Sequence, residues 1–279
     1  MIVLSIVGLS TYSVIFACYA QEIEEGGTSR AVAIPVVVVY CTLIFMMMWS
    51  YFATVFTDPG RVPPGWQPTS DPAPNQENSR GRGACLPVGA RWCKRCLVWK
   101  PDRCHHCSVC GHCVLKMDHH CVWVVNCVGG NNYKFFLLFL FYTFLTSVFA
   151  TTVLIPFFIK VFGYEADKDS LSDGEAAAVF MSVVLDIAFA FSVAGFLAMH
   201  ITLVFSNTTT IEMYEKKRSS PWRYDLGRRK NFEQVFGSRP IHWIFPFHFT
   251  EDLPLVESAC GLADHQTLRT NTSVSSSAV

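Results

Sequence analysis

Long apolar stretches alternate with polar segments along this chain of 279 residues. Four runs of about 20 to 30 residues carry almost no charge, and each is long enough to cross a hydrocarbon core of about 30 Å. The predicted spans are residues 2–20, 31–56, 135–162 and 176–205. The pattern predicts an α-helical polytopic membrane protein with four transmembrane helices. A secretory signal normally carries a basic start, and no Lys or Arg precedes the first run, so we expect it to be retained as a span.

The basic residues between the spans predict the orientation of the protein. Ten Lys and Arg residues fall in 57–134 and nine in 206–279, whereas 21–30 and 163–175 hold one each. The positive-inside rule therefore places both large segments, and both termini, in the cytosol.

Composition divides the cytosolic segments further. Residues 57–92 are rich in Pro, Gly, Ser and Asn and are interpreted as a linker without a core of its own. Residues 93–134 form a cysteine-rich domain, and 206–265 form a C-terminal region. The Ser/Thr-rich residues 266–279 are predicted to be disordered. No internal repeat is expected.

The overall charge excludes one broad class of partner. Hydrophobic residues make up 51% of the chain, charged residues 16%, and the net charge is zero. A nucleic-acid-binding domain is usually strongly basic, so no nucleic-acid partner is expected. Within the fourth span, Asp186 is interpreted as a hydrogen-bonding partner of a neighbouring span, since an acid in lipid is costly. His200 is expected near the cytosolic end of that span.

Cysteine and histidine are concentrated in one segment. Eight of twelve cysteines lie between Cys93 and Cys127, and five of nine histidines lie between His105 and His120. Cys-x2-Cys pairs supply two zinc ligands from one tight turn, so this density predicts metal binding rather than disulfides. Two closed zinc sites need eight ligands, which leaves at least one cysteine for another role.

The sequence Asp118-His119-His120-Cys121, in its cysteine-rich frame, resembles the DHHC protein S-acyltransferases. Asp58-Pro59-Gly60 is similar to that family's DPG motif, and Thr209-Thr210-Ile211-Glu212 to its TTxE motif. Asn231-Phe232 and Val235-Phe236-Gly237 resemble its C-terminal Asn and aromatic element. The likeness covers about residues 1–250. The phrase Pro221-Trp-Arg-Tyr-Asp-Leu-Gly227 is closer to plant members.

The resemblance implies two interleaved structural zinc sites. One takes Cys93, Cys96, His106 and Cys113, and the other takes Cys107, Cys110, His120 and Cys127. It leaves Cys104 and Cys121 without metal. Two departures from the family are Val122, where proline is usual, and Cys104, where a small residue is more common. Cys104 is interpreted as an idle, buried thiol.

The resemblance also implies the chemistry. Cys121 would attack the thioester of a long-chain, palmitoyl-like acyl-CoA and pass the acyl group to cysteines of membrane or cytosolic-face proteins. A thiol with a pKa of ~8.5 needs a partner to ionise, and His119 oriented by Asp118 would supply it. A C16 chain is costly to expose to water, so we expect the acyl-enzyme to stay in the bilayer.

Residues for holding the substrate are assigned by position in the motifs. Trp123 and Phe136 are expected to line the acyl-chain cavity, with ordinary packing as the alternative for both. Thr210 is expected beside the catalytic loop, whereas Glu212 is interpreted as a solvated helix residue. Asn231 is expected either to tie the tail to a span end or to cap a helix. Basic candidates for coenzyme A phosphates are Arg91, Lys94, Arg95, Lys116 and Lys134.

Three functional hypotheses remain open from the sequence. The first is the S-acyltransferase, in a Golgi, plasma or endosomal membrane by family likeness. The second is a membrane-anchored zinc-binding scaffold or ubiquitin-ligase-like adaptor that transfers no acyl group. The third is an ion transporter, ranked last because Asp186 is the one clear polar candidate within the spans.

Overall fold

A computed structural model describes residues 2–25, 27–68, 91–163, 171–215, 222 and 224–248. The tail predicted to be disordered, 266–279, lies outside these residues, as does most of the predicted linker. The structure describes the C-terminal region only as far as His248.

Helices make up most of the described chain. They are α1 (Ile2–Thr11), a π-helical segment (Tyr12–Tyr19), α2 (Ala20–Glu25), α3 (Gly27–Phe56), α4 (Tyr133–Phe162), α5 (Asp173–Ser206), α6 (Thr210–Tyr214), α7 (Arg228–Phe236) and a 3-10 helix (Pro240–Trp243). Four candidate spans are long and apolar enough to cross a membrane: Ile2–Glu24, Arg30–Phe56, Tyr133–Phe162 and Asp173–Ser206. This confirms the predicted fold class of a multi-pass helical protein with a cysteine-rich domain between its second and third spans.

The chain divides into two compact units, and the first is the span unit, Met1–Phe52 with Phe135–Thr202. Its core includes Val14, Tyr40, Leu154 and Val179. Several buried polar side chains are paired within it. Ser10 donates to Asp186 Oδ2 over 3.0 Å and receives a hydrogen bond from the Tyr40 hydroxyl over 3.1 Å. Asp186 therefore bonds a neighbouring helix, as interpreted from the sequence, and such pairing is what an apolar surrounding requires.

The second unit is the cysteine-rich unit, Ala53–Lys134 with Leu203–Val279. It contains three antiparallel hairpins: β1 (Arg91–Cys93) with β2 (Val98–Lys100), β3 (His105–Cys107) with β4 (His112–Val114), and β5 (His119–Cys121) with β6 (Asn126–Val128). The first strands begin at residues 91, 105 and 119 and the second strands at 98, 112 and 126, a constant spacing of 14 residues.

The expectation of no internal repeat is therefore wrong. The three hairpins share a backbone frame, and each turn holds a left-handed residue at the same position: Leu97 (φ 54°), Gly111 (φ 74°) and Val125 (φ 51°). The left-handed conformation favours glycine, yet only the second turn has one. Side-chain identity is thus conserved across the hairpins at few positions, which hides the repeat from composition and pattern.

The start of the predicted linker belongs to the fold of the cysteine-rich unit. Gly60 O accepts a hydrogen bond from Leu115 N over 2.9 Å, and Pro59 O accepts one from Asn131 N over 3.3 Å. Gly129 lies against this segment so closely that a Cβ there would be 2.6 Å from Pro59 O. Any larger residue at 129 would push the Asp58-Pro59-Gly60 segment away from the third hairpin.

One asparagine ties the third hairpin to the end of α3. Asn126 Nδ2 donates to the carbonyl oxygens of Thr54 (3.2 Å), Val55 (3.1 Å) and Thr57 (3.1 Å). The last carbonyls of a helix have no partner within the helix, so a side-chain donor at this end satisfies them. Asn132 Nδ2 adds a bond to Thr54 O at 3.3 Å. The hairpin that carries Cys121 is therefore fixed to the last turn of α3.

Candidate active site

Two groups of four side chains in the cysteine-rich unit are arranged to hold metal ions. In each group the four ligand atoms all lie within 4.8 Å of one another. The first group is Cys93, Cys96, His106 and Cys113, and the second is Cys107, Cys110, His120 and Cys127. These are the two sets that the family resemblance implied.

The hairpins explain why the sets interleave. The turn of the first hairpin supplies Cys93 and Cys96, and the cross-strand pair His106 and Cys113 comes from the second hairpin. The second set repeats this arrangement one hairpin further along the chain. Each metal would therefore fasten the turn of one hairpin to the strands of the next.

The distances within the second group fit a tetrahedral ion, whereas in the first group Cys96 Sγ lies closer to His106 Nδ1, at 3.1 Å. Bonds of 2.3 Å to sulfur and 2.0–2.1 Å to nitrogen place tetrahedral ligand atoms about 3.5–3.8 Å apart. His120 Nδ1 lies 3.4 Å from Cys110 Sγ and 3.6 Å from Cys127 Sγ. Cys110 N also donates to Cys107 Sγ over 3.3 Å, as expected for a thiolate in a tight turn. Three sulfurs and one imidazole make a closed, four-ligand set that suits a structural metal.

Cys121 lies in neither group. In the 14-residue frame it occupies the position of Cys93 and Cys107, but Val124 stands where the first two hairpins have their second cysteine. The third turn therefore lacks the second sulfur that a metal needs. The sulfur of Cys121 is therefore outside both metal groups.

Asp118, His119 and Cys121 form a hydrogen-bonded series. The His119 Nδ1 atom lies 2.7 Å from Asp118 Oδ2, and the His119 side chain also hydrogen-bonds Cys121. Asp118 is 2% exposed and is also held by Thr210, whose main-chain N donates to Oδ1 over 2.9 Å and whose Oγ1 donates to Oδ2 over 2.7 Å. The geometry is that of a nucleophile, an imidazole and a carboxylate that orients it.

The electrostatics of the series favour an imidazolium–thiolate pair. Burial opposes a charge on His119, but the hydrogen bonds that its imidazolium makes to Asp118 and Cys121 raise its pKa to about 9. Burial likewise raises the pKa of Cys121, yet the His119 hydrogen bond and the N–H groups of Val124 and Trp123 bring that pKa below its ordinary value. The same turn that presents thiolates to metal in the first two hairpins thus stabilises a thiolate without metal in the third.

The second unligated cysteine has the opposite environment. Cys104 is fully buried, and burial raises its pKa to about 11. It packs with Cys93, Cys113 and Leu115. A thiol in this setting stays protonated at neutral pH, which agrees with its interpretation as idle.

The other predicted site residues fall in different places. Thr210 lies beside the catalytic loop, and Asn231 Nδ2 donates to Phe205 O over 2.7 Å, which ties the tail to the end of α5. Trp123 is half exposed in the turn after Cys121. Phe136 is buried in the span unit, edge-on to Phe196 and His200. Roles of Trp123 and Phe136 in holding an acyl chain stay predictions.

The basic candidates for coenzyme A differ in exposure. Lys116 and Lys134 are buried, and Lys134 Nζ donates to Phe247 O over 2.9 Å. Arg91 is half-buried and donates to Cys104 O over 3.1 Å. Lys94 and Arg95 are exposed. Because they are exposed, Lys94 and Arg95 are the better candidates for contact with a solvated phosphate.

The interpretation of Glu212 as a solvated residue is wrong. Its side chain is buried, and its two oxygens accept hydrogen bonds from Arg103 over 2.7 and 2.8 Å. A capping box with Thr209 also holds it in place. The sequence contained a signal, since Thr-x-x-Glu before a helix is the capping-box pattern. No such pattern indicated Arg103, because nothing in the sequence distinguishes a buried arginine from the many other basic residues.

Comparisons with known proteins give the family of the chain. Residues 87–217 match the family model described as DHHC palmitoyltransferase. The chain is 48% identical to "Probable protein S-acyltransferase 14" of Arabidopsis thaliana, over 94% of this chain and 88% of the relative. It is 47% identical to "Probable protein S-acyltransferase 13" of the same plant, with the same coverage. It is 35% identical to "Palmitoyltransferase ZDHHC2" of Danio rerio, over 86% of this chain and 70% of the relative.

The helices and the cysteine site define a multi-pass membrane protein with a thiol-based reactive centre. The chain belongs to the DHHC family of protein-cysteine palmitoyltransferases, and its likeness to the Arabidopsis relatives places it with plant members.

Proposed function

We propose that Cys121 is the nucleophile of this S-acyltransferase and carries the acyl group as a thioester. The observation that supports this most directly is the position of Cys121, outside both metal groups and hydrogen-bonded to His119, which Asp118 holds. The donor would be a long-chain acyl-CoA and the acceptors cysteines of proteins at the cytosolic face of the membrane. The acyltransferase is favoured over the scaffold and transporter hypotheses by family membership.

In the first half-reaction, the Cys121 thiolate attacks the thioester carbonyl of acyl-CoA. A bond forms between Cys121 Sγ and the acyl carbon, the bond to the coenzyme A sulfur breaks, and the His119 imidazolium donates its proton to the leaving thiolate. Asp118 keeps the imidazole oriented throughout. The products are acyl-Cys121, coenzyme A and a neutral His119.

In the second half-reaction, a substrate cysteine gives its proton to His119 and attacks acyl-Cys121. The acyl group moves to the substrate sulfur, and Cys121 leaves as a thiolate beside the restored imidazolium. Both halves exchange one thioester for another, so catalysis consists mostly of activating and positioning the two sulfurs.

The two metal groups are proposed to hold structural Zn²⁺. A Cys3His donor set is a common closed zinc site, and zinc bound this way stabilises the fold without taking part in the reaction. The role of the chain's own residues is to fix the third hairpin, since His120 and Cys127 flank Cys121 on both sides.

The remaining assignments follow from position. We place both termini and the cysteine-rich unit in the cytosol on the distribution of Lys and Arg, and the enzyme in a Golgi, plasma or endosomal membrane. Trp123 and Phe136 are assigned to the acyl-chain path, and exposed Lys94 and Arg95 to the coenzyme A phosphates. Thr210 and Asn231 act as supports of the site.

The test is metabolic labelling with an alkyne analogue of palmitate. Wild-type protein should acquire a label on Cys121 that hydroxylamine removes, and mass spectrometry should locate the thioester there. Cys121→Ser should lose the label and still contain two zinc ions per chain. Cys41→Ser is the control, because Cys41 is an exposed cysteine outside the cysteine-rich unit, and it should keep the label.

A label that survives in Cys121→Ser would contradict the assignment of the nucleophile. Wild-type protein with two zinc ions and no acyl thioester would instead favour the scaffold hypothesis.

A further inference from the structure

Arg103, in the link between β2 and β3, is the most extensively bonded buried cation described in the cysteine-rich unit. Its side chain is 2% exposed. Nε and Nη2 donate to the two oxygens of Glu212 over 2.7 and 2.8 Å. Nη1 donates to Asn207 Oδ1 over 2.9 Å, and Nη2 to Asn207 O over 3.0 Å. The Tyr224 ring lies 4.6 Å from its guanidinium carbon.

This environment depends on the planar shape of the guanidinium group. Two parallel bonds to one carboxylate and two more to an asparagine use the donor fork of arginine, which lysine cannot reproduce. Burial alone would raise the pKa of Glu212, but the hydrogen bonds and charge of Arg103 hold that pKa below its ordinary value. The pair is therefore ionised, and removing one member would leave a buried charge unpaired.

Glu212, held by Arg103, in turn fixes the first turn of α6. Its Oε2 accepts from Thr209 N over 2.8 Å, and Thr209 Oγ1 accepts from Glu212 N over 3.2 Å. The next residue, Thr210, donates both of its bonds to Asp118. The position of Thr210 is thus set by the capping box that Arg103 anchors.

The main chain of Arg103 also contacts the segment that carries Asp118. Arg103 has a left-handed backbone, with φ 62°, and its carbonyl accepts a hydrogen bond from Met117 N over 3.2 Å. Met117 directly precedes Asp118. Arg103 therefore contacts both segments that meet at Asp118, one through its side chain and one through its backbone.

We propose that Arg103 is a positioning residue for catalysis, which keeps Thr210 in register with Asp118 and so orients His119 toward Cys121. The inference rests on the proposed role of Cys121. Arg103 touches no reacting atom, and its effect on the rate is transmitted through Glu212, Thr210 and Asp118.

The first experiment measures the self-acylation rate of purified Arg103→Gln and Arg103→Lys with a labelled acyl-CoA. Both should be slower than wild type by about tenfold to a hundredfold, since small misplacements of a catalytic group have effects of this size. Lysine keeps the charge but not the fork, so it should rescue only part of the loss. Zinc content should stay at two per chain in both variants.

The control is a second Arg–Glu pair with a similar Nε–Oε1 distance. Arg229 Nε lies 2.8 Å from Glu233 Oε1, but the Arg229 side chain is 90% exposed. Exposed pairs contribute little, so Arg229→Gln should acylate at the wild-type rate.

A double-mutant cycle separates positioning from a general structural effect. In a Thr210→Val background the contact with Asp118 is already weakened, so adding Arg103→Gln should slow the reaction much less than it does in wild type. If the two substitutions caused independent structural defects, the factors by which each slows the reaction would instead multiply. Glu212→Gln, which removes the charge but keeps the shape, should behave as Arg103→Gln does in the same cycle.

Three results would overturn the inference: wild-type rates in both Arg103 variants, multiplicative effects in the cycle, or zinc loss that accounts for the lost activity. A wild-type enzyme that never forms acyl-Cys121 would instead contradict the proposed function, so the two failures are distinguishable.

Discussion

At the scale of single residues, the proposed nucleophile, Cys121, differs from the first cysteine of each metal-binding turn by one neighbour. Cys121 shares its backbone position with Cys93 and Cys107, and the turn after it donates N–H groups to sulfur as the metal-binding turns do. Val124 replaces the second cysteine, and His119 supplies the positive partner that a metal would otherwise provide. A reactive thiolate thus arises from a turn that already stabilises thiolates.

This comparison predicts the outcome of Val124→Cys. The substitution restores a Cys-x2-Cys turn at the active site, so Cys121 should gain affinity for thiophilic ions. Self-acylation should fall by about tenfold or more in micromolar Zn²⁺ or Cd²⁺, because a metal-bound thiolate is a weaker nucleophile. The self-acylation rates of wild type and variant, each with and without added Zn²⁺ or Cd²⁺, give the measurement.

Val122→Cys is the control for added thiol. It places a cysteine in the same turn on an exposed side chain, but outside the knuckle position. Equal metal sensitivity of the two variants would show that the position of Val124 has no special meaning.

The second residue-scale prediction concerns pH. The raised pKa of His119 means that its imidazolium is present at neutral pH and is lost as the pH rises through about 9. The lowered pKa of Cys121 means that its thiolate persists below the ordinary thiol range and is lost as the pH falls. Self-acylation should therefore follow a bell-shaped profile with its alkaline limb near pH 9.

Alkylation of Cys121 by iodoacetamide, followed by mass spectrometry, reports the thiolate directly. His119→Ala should move its titration upward toward the value of a free thiol. His105→Ala should not, although His105 holds the equivalent position in the second hairpin. An unchanged titration in His119→Ala would remove His119 from the activation of Cys121.

At the scale of elements, whether a feature could be predicted from the sequence depended on the interactions that produce it. Hydrophobic runs fix the helices locally, and metal chemistry fixes the choice of Cys and His, so both were evident from the sequence. The hairpin repeat was not evident, because three-residue strands have no measurable period and the left-handed positions hold Leu97, Gly111 and Val125. The burial of Arg103 and Glu212 was hidden for another reason, since it depends on segments about a hundred residues apart meeting in the fold.

The link between the third hairpin and α3 gives an element-scale prediction. Asn126→Ala removes the donor to three carbonyls at the end of α3, so the carbonyls of Val55 and Thr57 lose this partner, whereas Thr54 O keeps the bond from Asn132 Nδ2. Each such loss costs about 1–3 kcal/mol. We expect lower thermal stability of the cysteine-rich unit and slower self-acylation, measured by differential scanning fluorimetry and acyl-CoA turnover.

Asn131→Ala is the matched control for Asn126→Ala, because Asn131 bonds Pro59 and His248 through its main-chain atoms. It should have the smaller effect on both measurements. If the two variants behaved alike, the cap on α3 would not be what holds the catalytic hairpin.

At the scale of the whole molecule, the two units differ in what stabilises them. The span unit has an extensive core of apolar side chains, and several of its buried polar groups pair with one another. The clusters of buried residues in the cysteine-rich unit are small and consist partly of the metal-binding cysteines themselves. Loss of metal should therefore greatly lower the stability of the cysteine-rich unit and hardly change that of the span unit.

Removal of metal tests this difference. Structural zinc contributes about 10–16 kcal/mol in small zinc domains, more than the cysteine-rich unit can replace from its own core. A strong chelator in detergent solution should release two zinc ions per chain, open the hairpins to limited proteolysis and abolish self-acylation. The helices of the span unit should remain, so far-ultraviolet circular dichroism should fall only slightly.

A chelator saturated with zinc beforehand should leave labelling and proteolysis unchanged. Full acyl transfer after verified loss of both ions would contradict the structural role of the metal, because the third hairpin would then hold Cys121 beside His119 without His120 and Cys127 being fixed.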